Sequence, residues 1–300
     1  MSGEFAALAR VAALLPPPAR PAVGIGDDAA VVRLEGWSLL AADTVVAGVH
    51  ADLTLTGLDD LGWKAVAANV SDIAAMGGIP SHLLVTVAGP PDTDLDLLYR
   101  GISDAATAWE CVVVGGDLTN APTLVVTVAV TGSLPGPPIL RSGARAGDGI
   151  WVTGRLGLAA AGLRLLQDRG KGATGPAVDA HRRPEPSVAS GLAAREAGAS
   201  AMIDISDGLA ADLGHLASAS GLGVEVEDVP VGPGATWSEA LVGGEDYVLL
   251  FTAASDSAVL AAFAALPAPL RIGTCVADPS IRLVHGQPFP ARGGWEHSWG

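Results

Sequence analysis

The sequence predicts a two-domain protein of mixed α and β structure, on three observations. Its 300 residues suit two domains, and 49% hydrophobic residues with a mean hydropathy of +0.41 are ample for two cores. Strand-like apolar runs alternate with helical patterns in both halves. A Gly/Pro-rich stretch, GSLPGPPILRSGARAGDG at 132–149, separates the halves, which sets the domains at 1–138 and 139–300.

In the first half WSLLAADTVV, HLLVTVAG, CVVVGG and TLVVTVAVTG read as strands, with helical patterns between them. Residues 58–76 carry the start and stop signals of a helix: Asp59 and Asp60 in the first turn, then Gly77, Gly78 and Pro80 at the end. Lys64, Ala68 and Asp72 fall on one face of it. Asp72 lies near the C-terminal end, where the helix dipole disfavours an anion, so it is expected to meet a cation. The second half opens on the strand GIWVTG and continues with helical patterns around 156–168, 186–197 and 207–220. GVEVEDV, DYVLLFT and PLRIGTCV are its further strands, and 170–183, rich in Gly, Pro and charge, reads as a mobile loop.

Composition excludes several classes. A formal net charge of -15 and a pI near 4.6 argue against a nucleic-acid partner, which requires a basic face. Apolar runs such as TLVVTVAV fall short of the roughly 20 residues that cross a bilayer, so no membrane association is expected. The N-terminal stretch has an acid at Glu4 and no basic region, which predicts no secretory signal and a cytoplasmic protein. Cys111 and Cys275 stand in strand-like runs without metal or redox spacing and read as reduced core residues.

Chemistry concentrates in five acidic clusters set among small residues: GIGDDAAVV at 24–32, AADT at 41–44, NVSDIAAMGG at 69–78, GGDLT at 115–119 and DISDGL at 204–209. None contains a Lys or Arg, and carboxylates beside apolar segments are costly to bury unless something positive meets them. A divalent metal carrying a phosphate ligand answers that need. An acidic chain repels nucleotide phosphates unless cations reverse the local sign. The common nucleotide signatures are missing: there is no G-x-x-x-x-G-K-[ST], and GIGDD lacks the third glycine of the dinucleotide fingerprint. A single Asp next to Gly is otherwise an ordinary turn former.

In order, GIGDDAAV, D-T-x-V-x-G-V-H at 43–50, K-A-x-A-x-N-x-S-D-I-A-A-M-G-G at 64–78, GGD, RSGARAGD, DISDGL and GGEDY resemble the thiamine-monophosphate kinases over nearly the whole chain. The resemblance implies the two-domain α+β fold of the aminoimidazole ribonucleotide synthetase type. Its N-terminal ATP- and Mg²⁺-binding sheet domain pairs in a homodimer, and a C-terminal α/β domain follows. It also implies transfer of the γ-phosphoryl group of ATP to thiamine monophosphate, assisted by several Mg²⁺ ions. The acceptor phosphate is already ionised, so positioning and charge neutralisation suffice, and no side chain is singled out as a general acid or base.

Matched by motif, Asp28, Asp43, Asp72, Asp117, Asp204 and Asp207 are the implied metal ligands, with Asp27 either a ligand or a turn residue. Gly116, Asp117, Arg141 and Ser206 are the implied ATP contacts, and His50, Glu245 and Trp295 the implied acceptor contacts. Asp246 is open to a purely structural role, and Trp299 leaves the register of Trp295 ambiguous. Two departures stand out: Ala41 and Ala42 replace the hydroxyl residues usual before Asp43, and Leu118 stands where a hydroxyl is common. The alternatives are another ATP-dependent synthetase of the same superfamily and a nucleotide-binding paralogue without catalysis. The tail SWG, without a cysteine motif, argues against a hydrogenase maturation factor, and the lack of an early Cys argues against a selenophosphate synthetase.

Overall fold

The computed structural model describes residues 10–15, 34, 36–290 and 294. The chain divides into two compact units, Met1–Ile73 with Ile79–Gly136, and Ala74–Gly78 with Pro137–Gly300.

The first unit contains β1 (Trp37–Val46), most of α1 (Leu58–Ala75), β2 (Ile79–Gly89), α2 (Leu95–Ala108), β3 (Val112–Asn120) and β4 (Val125–Leu134). The strands form one sheet in the order β1-β4-β2-β3, antiparallel except for the parallel pair β2–β3. Period-2 patterning buries Leu83, Val85 and Val87 of β2 and Val126, Val128 and Val130 of β4. Ile73 of α1 packs against Gly132 on this face. The α2 helix starts where the Asp94 side chain accepts the Leu97 N–H at 3.0 Å, and it buries Leu98, Tyr99, Ile102, Ala105 and Ala106. The opposite face leaves Leu40 75% and Leu84 46% exposed, and with Ala42, His82 and Ala129 they line a shallow apolar depression.

The second unit is built on a seven-stranded sheet, β11-β10-β7-β9-β5-β8-β6. Its strands are β5 (Gly149–Val152), β6 (Ala201–Asp204), β7 (Gly223–Val226), β8 (Leu249–Ala253), β9 (Leu270–Val276), β10 (Arg282–Val284) and β11 (Gln287–Pro288). Its helices are α3 (Leu158–Arg169), α4 (Pro176–Arg182), α5 (Val188–Glu196), α6 (Leu209–Ser220), α7 (Trp237–Val242) and α8 (Asp256–Ala262). The strands β5, β6 and β8 are buried along their whole length, so they read as near-continuous apolar runs instead of alternating ones. Ile150, Val152, Ile203 and Leu250 join Leu209, Leu213 and Leu216 of α6 in one core, while Trp151, Met202 and Phe251 join Ala193 and Ala194 of α5 in another. Phe251 anchors the latter, 6.4 Å from the Trp151 ring and 5.8 Å from Phe263.

The last turn of α1 belongs to the second unit. There Arg195 donates to the carbonyls of Gly77 at 2.9 Å, Met76 at 3.0 Å and Pro137 at 2.7 Å. A guanidinium therefore answers the unpaired carbonyls and negative dipole end of α1.

Two readings are corrected. The segment 170–183 is not a loop throughout: it contains α4, with Pro176 at the start of the helix, where its missing N–H costs nothing. DYVLLFT becomes a strand only at Leu249, because Asp246 turns away to hold α3 and Tyr247 takes a φ of 49°. Cys111 and Cys275 are buried and form no disulfide. Among the described residues, no helix is long and apolar enough to cross a membrane.

Phe251→Ala should lower the unfolding free energy by about 3–5 kcal/mol, the usual loss for a buried aromatic. Urea unfolding measures it, and an unchanged midpoint would show that the stacked aromatics do not anchor this core.

Candidate functional site

Asn69 brings two of the acidic clusters of the first unit together. It lies fully buried in the middle of α1, donates from Nδ2 to the Ala65 carbonyl at 2.9 Å, and accepts the Asp43 N–H at 3.1 Å on Oδ1. A helix-interior Asn is a poor helix former, and here it is explained by its hold on the backbone of β1. Asp72 follows one turn later, on the same helix face and half-buried. Burial raises the Asp43 carboxyl above its ordinary value, and nearby His50 lowers it. His50 Nδ1 accepts the Val46 N–H at 3.0 Å, which fixes the ring beside the end of β1.

Asp117 lies at the other edge of the same sheet. The register runs Thr44–Thr127–Thr86–Asp117 across the four strands, so Asp117 and the Asp43 strand are separated by three strand spacings, about 14 Å. The sheet of the first unit therefore does not gather Asp43 and Asp117 into one coordination shell. Gly116 has a φ of 153°, and a Cβ there would stand 1.8 Å from the Val85 carbonyl oxygen, so only glycine lets β3 pass so close to β2.

In the second unit, two loops are joined through main-chain hydrogen bonds. Ile205 N–H donates to the Val248 carbonyl at 2.8 Å, Tyr247 N–H to Ile205 at 2.9 Å, and Glu245 N–H to Ser206 at 2.8 Å. DISDG and GGEDY thus form one surface carrying Asp204, Ser206, Asp207 and Glu245. Asp204 ends β6 almost wholly buried, whereas Ser206, Asp207 and Glu245 are half-buried. Gly294 lies against the Asp207 carbonyl, where an added Cβ would be 2.5 Å from the oxygen.

Two further carboxylates hold this surface. Asp212, buried in the first turn of α6, accepts the N–H groups of Asp207 and Gly208, each at 3.0 Å. Burial, with Asp204 and Asp207 nearby, pushes it up to about 7. Asp246 accepts the N–H groups of Gly157 and Ala159 at the start of α3 and supplies the cap that Gly157 lacks. Burial raises Asp246 to about 6, against the pull of those amides. Asn69 and Asp212 escape a motif search for ligands because they act on backbone groups. The signal for Asn69 was its place inside a helix, and for Asp212 the acid in the first turn after DISDG.

Arg141 is exposed, and its carbonyl accepts from Ser220 Oγ at 3.2 Å. Ser220 ends α6, roughly 18 Å along the helix from the DISDG loop, so the main chain at Arg141 lies away from Asp207. Asp27, Asp28, Trp295 and Trp299 lie outside the described residues. Among the described residues, no three His, Cys, Asp or Glu side chains converge on one point to hold an ion.

Comparison with known proteins gives a consistent result. Residues 26–134 match the AIR synthase related protein N-terminal domain, and 145–286 match the C-terminal domain of that family. The chain is 34% identical over 308 residues to the thiamine-monophosphate kinase of Mycobacterium tuberculosis (strain ATCC 25618 / H37Rv), covering 98% of this chain and 91% of that one. It also resembles the crystal structure of thiamine-monophosphate kinase from Stenotrophomonas maltophilia K279a, with a TM-score of 0.82, 34% identity and coverage of 95% and 97%. A third likeness is to AaThiL complexed with AMPPCP and TMP, with a TM-score of 0.77, 31% identity and 87% of each chain covered.

The raised Asp246 has a defined pH signature. The native state keeps its proton up to about 6, whereas the carboxyl of the unfolded chain loses it near 3.8, so folding binds a proton between these values. Stability from this group is present at low pH and is lost as pH rises through about 6. Asp246→Asn should therefore show a smaller fall in urea-unfolding free energy between pH 4 and 7 than the parent chain. Equal falls would mean that Asp246 does not titrate in this window.

Proposed function

Because the chain belongs to the thiamine-monophosphate kinases of the AIR synthase related family, we propose that it transfers the γ-phosphoryl group of ATP to the phosphate of thiamine monophosphate. The products are thiamine diphosphate and ADP. The observation that supports this most is the bonded pair of loops DISDG and GGEDY, which joins metal-type carboxylates to Glu245 in a single surface.

In this reading Asp28, Asp43, Asp72, Asp117, Asp204 and Asp207 hold the ions, and Gly116, Asp117, Arg141 and Ser206 take ATP. His50, Glu245 and Trp295 take the acceptor. Mg²⁺ supplies neutralisation of the phosphate charge and a template for in-line transfer. The chain's own part is positioning. Asn69 holds the Asp43 backbone, and Asp212 holds the Asp207–Gly208 turn, so two ligand-bearing segments are fixed without a basic side chain. Ser206 has a hydroxyl available for a nucleotide oxygen. Trp295 follows directly on Gly294, which touches Asp207, and an indole over a thiazolium ring gains cation–π attraction. The attacking oxygen is anionic, so no proton need be removed from it before transfer.

We also propose that 1–138 and 139–300 divide the work as ATP- and Mg²⁺-binding and C-terminal domains, in the cytoplasm. A homodimer would form through the apolar sheet face bearing Leu40 and Leu84, whose exposure supports it. One observation favours a second reading, a nucleotide binder without turnover: Ala41 and Ala42 carry no hydroxyls beside Asp43.

Purified protein with ATP, Mg²⁺ and thiamine monophosphate should yield thiamine diphosphate on chromatography, and chelation should abolish it. Tight ATP binding without product would select the second reading. Asp43→Asn should lower turnover by about 10²- to 10³-fold, the scale for losing one charge-stabilising group, with folding intact by circular dichroism. Undiminished turnover would remove Asp43 from the metal site.

A further inference from the structure

We propose that His181, in the short helix α4, is a positioning residue that sets the Glu245 carboxylate for the acceptor. The inference rests on the assignment of Glu245 to acceptor binding. Neither the acidic motifs nor the family matches bring His181 into the site.

The backbone of Glu245 is fixed twice. Its N–H donates to the Ser206 carbonyl at 2.8 Å, and the next residue, Asp246, is bound to the N-terminus of α3. Glu245 and Tyr247 adopt φ values of 68° and 49°, a left-handed conformation that only such bracing maintains. Its side chain must be ordered as well, and a glutamate loses rotamer freedom when that happens. A receptor that orders it beforehand spares the ligand that cost.

His181 is built to do this. The α4 helix lies so close to α3 that a Cβ on Gly162 would stand 2.0 Å from the Ala177 carbonyl oxygen and 2.9 Å from the His181 Cβ. Glycine at 162 thus lets α4 settle with the imidazole inside. The His181 side chain is 4% exposed, and its Nδ1 stands 3.6 Å from Glu245 Oε2, whose side chain keeps 28% of its surface open. The imidazole thus flanks the carboxylate from the protein side while the carboxylate still meets solvent. A separation slightly beyond hydrogen-bond range is usual before substrate arrives, and such contacts tighten in the bound complex.

The test is steady-state kinetics on His181→Leu, His181→Gln, Glu245→Gln and the double variant His181→Leu/Glu245→Gln, with melting temperatures measured alongside. His181→Leu should raise KM for thiamine monophosphate about tenfold, the scale of one hydrogen bond to a charged group that tightens when substrate binds, and leave KM for ATP and kcat nearly unchanged. His181→Gln, which keeps a donor, should recover most of the affinity. The double variant should be no worse than Glu245→Gln, because both changes remove one arrangement. If Glu245→Gln raises KM for thiamine monophosphate and His181→Leu does not, the positioning role is wrong and the acceptor assignment stands. If Glu245→Gln leaves that KM unchanged, the acceptor assignment falls, and the role of His181 with it. Equal effects of His181→Leu on both substrates, following a lowered melting temperature, would reduce His181 to a packing residue. Should the leucine variant not fold, His181→Ala takes its place in the same comparison, since a positioning role predicts a raised KM for thiamine monophosphate only, with His181→Gln restoring it.

Discussion

Main-chain amides acting as counter-charges for carboxylates are what the second unit depends on. With 32 acidic and 17 basic residues, the chain has too few cations to pair every acid, and its buried carboxylates turn to amides instead. Asp212 rests on the N–H groups of Asp207 and Gly208, Asp246 on those at the start of α3, and Asp148 on the Arg145 N–H at 2.9 Å and the Ser200 hydroxyl. Each bond does double duty, because it solvates a carboxylate and fixes a turn. An acid in the first turn of α6 thereby latches the DISDG loop to the helix that follows it.

The first unit solves a different problem with Asn69. Asp43 sits on β1, which is the edge strand of this sheet among the described residues, and an edge strand has few partners to hold it. A neutral amide inside α1 reaches across to its backbone without adding charge beside it. Helix and strand are thereby locked in register at the position where the second acidic cluster lies.

Much of this was legible in the sequence. The strands and the long helix beginning at Leu58 announced themselves through period and caps, since their burial comes from their own apolar pattern. The acidic motifs were legible as strings of small residues around Asp. What stayed hidden is structure made by tertiary contact. The α4 helix has seven residues, too few to be stable alone, and it exists because Gly162 lets it dock. DYVLLFT reads as a strand from its first residue because nothing local reveals that Asp246 is claimed by the start of α3, 89 positions earlier at Gly157. The hairpin β10–β11 turns at His285 and Gly286, a signal too short to stand out from the surrounding loop. The partners of Asn69 and His181 are likewise invisible locally, for each acts on a group brought near by folding.

The strand order of the two sheets also sets a timetable for synthesis. The first sheet is complete once Leu134 has been made. The second cannot close so early, because β5, at its centre, pairs with β8 and β9, which lie at Leu249–Ala253 and Leu270–Val276. Ordering so distant a partner costs loop entropy before any hydrogen bond repays it. On the ribosome the N-terminal sheet can therefore form while the apolar β5 and β6 wait, which makes the second half the segment most exposed to aggregation during its own production.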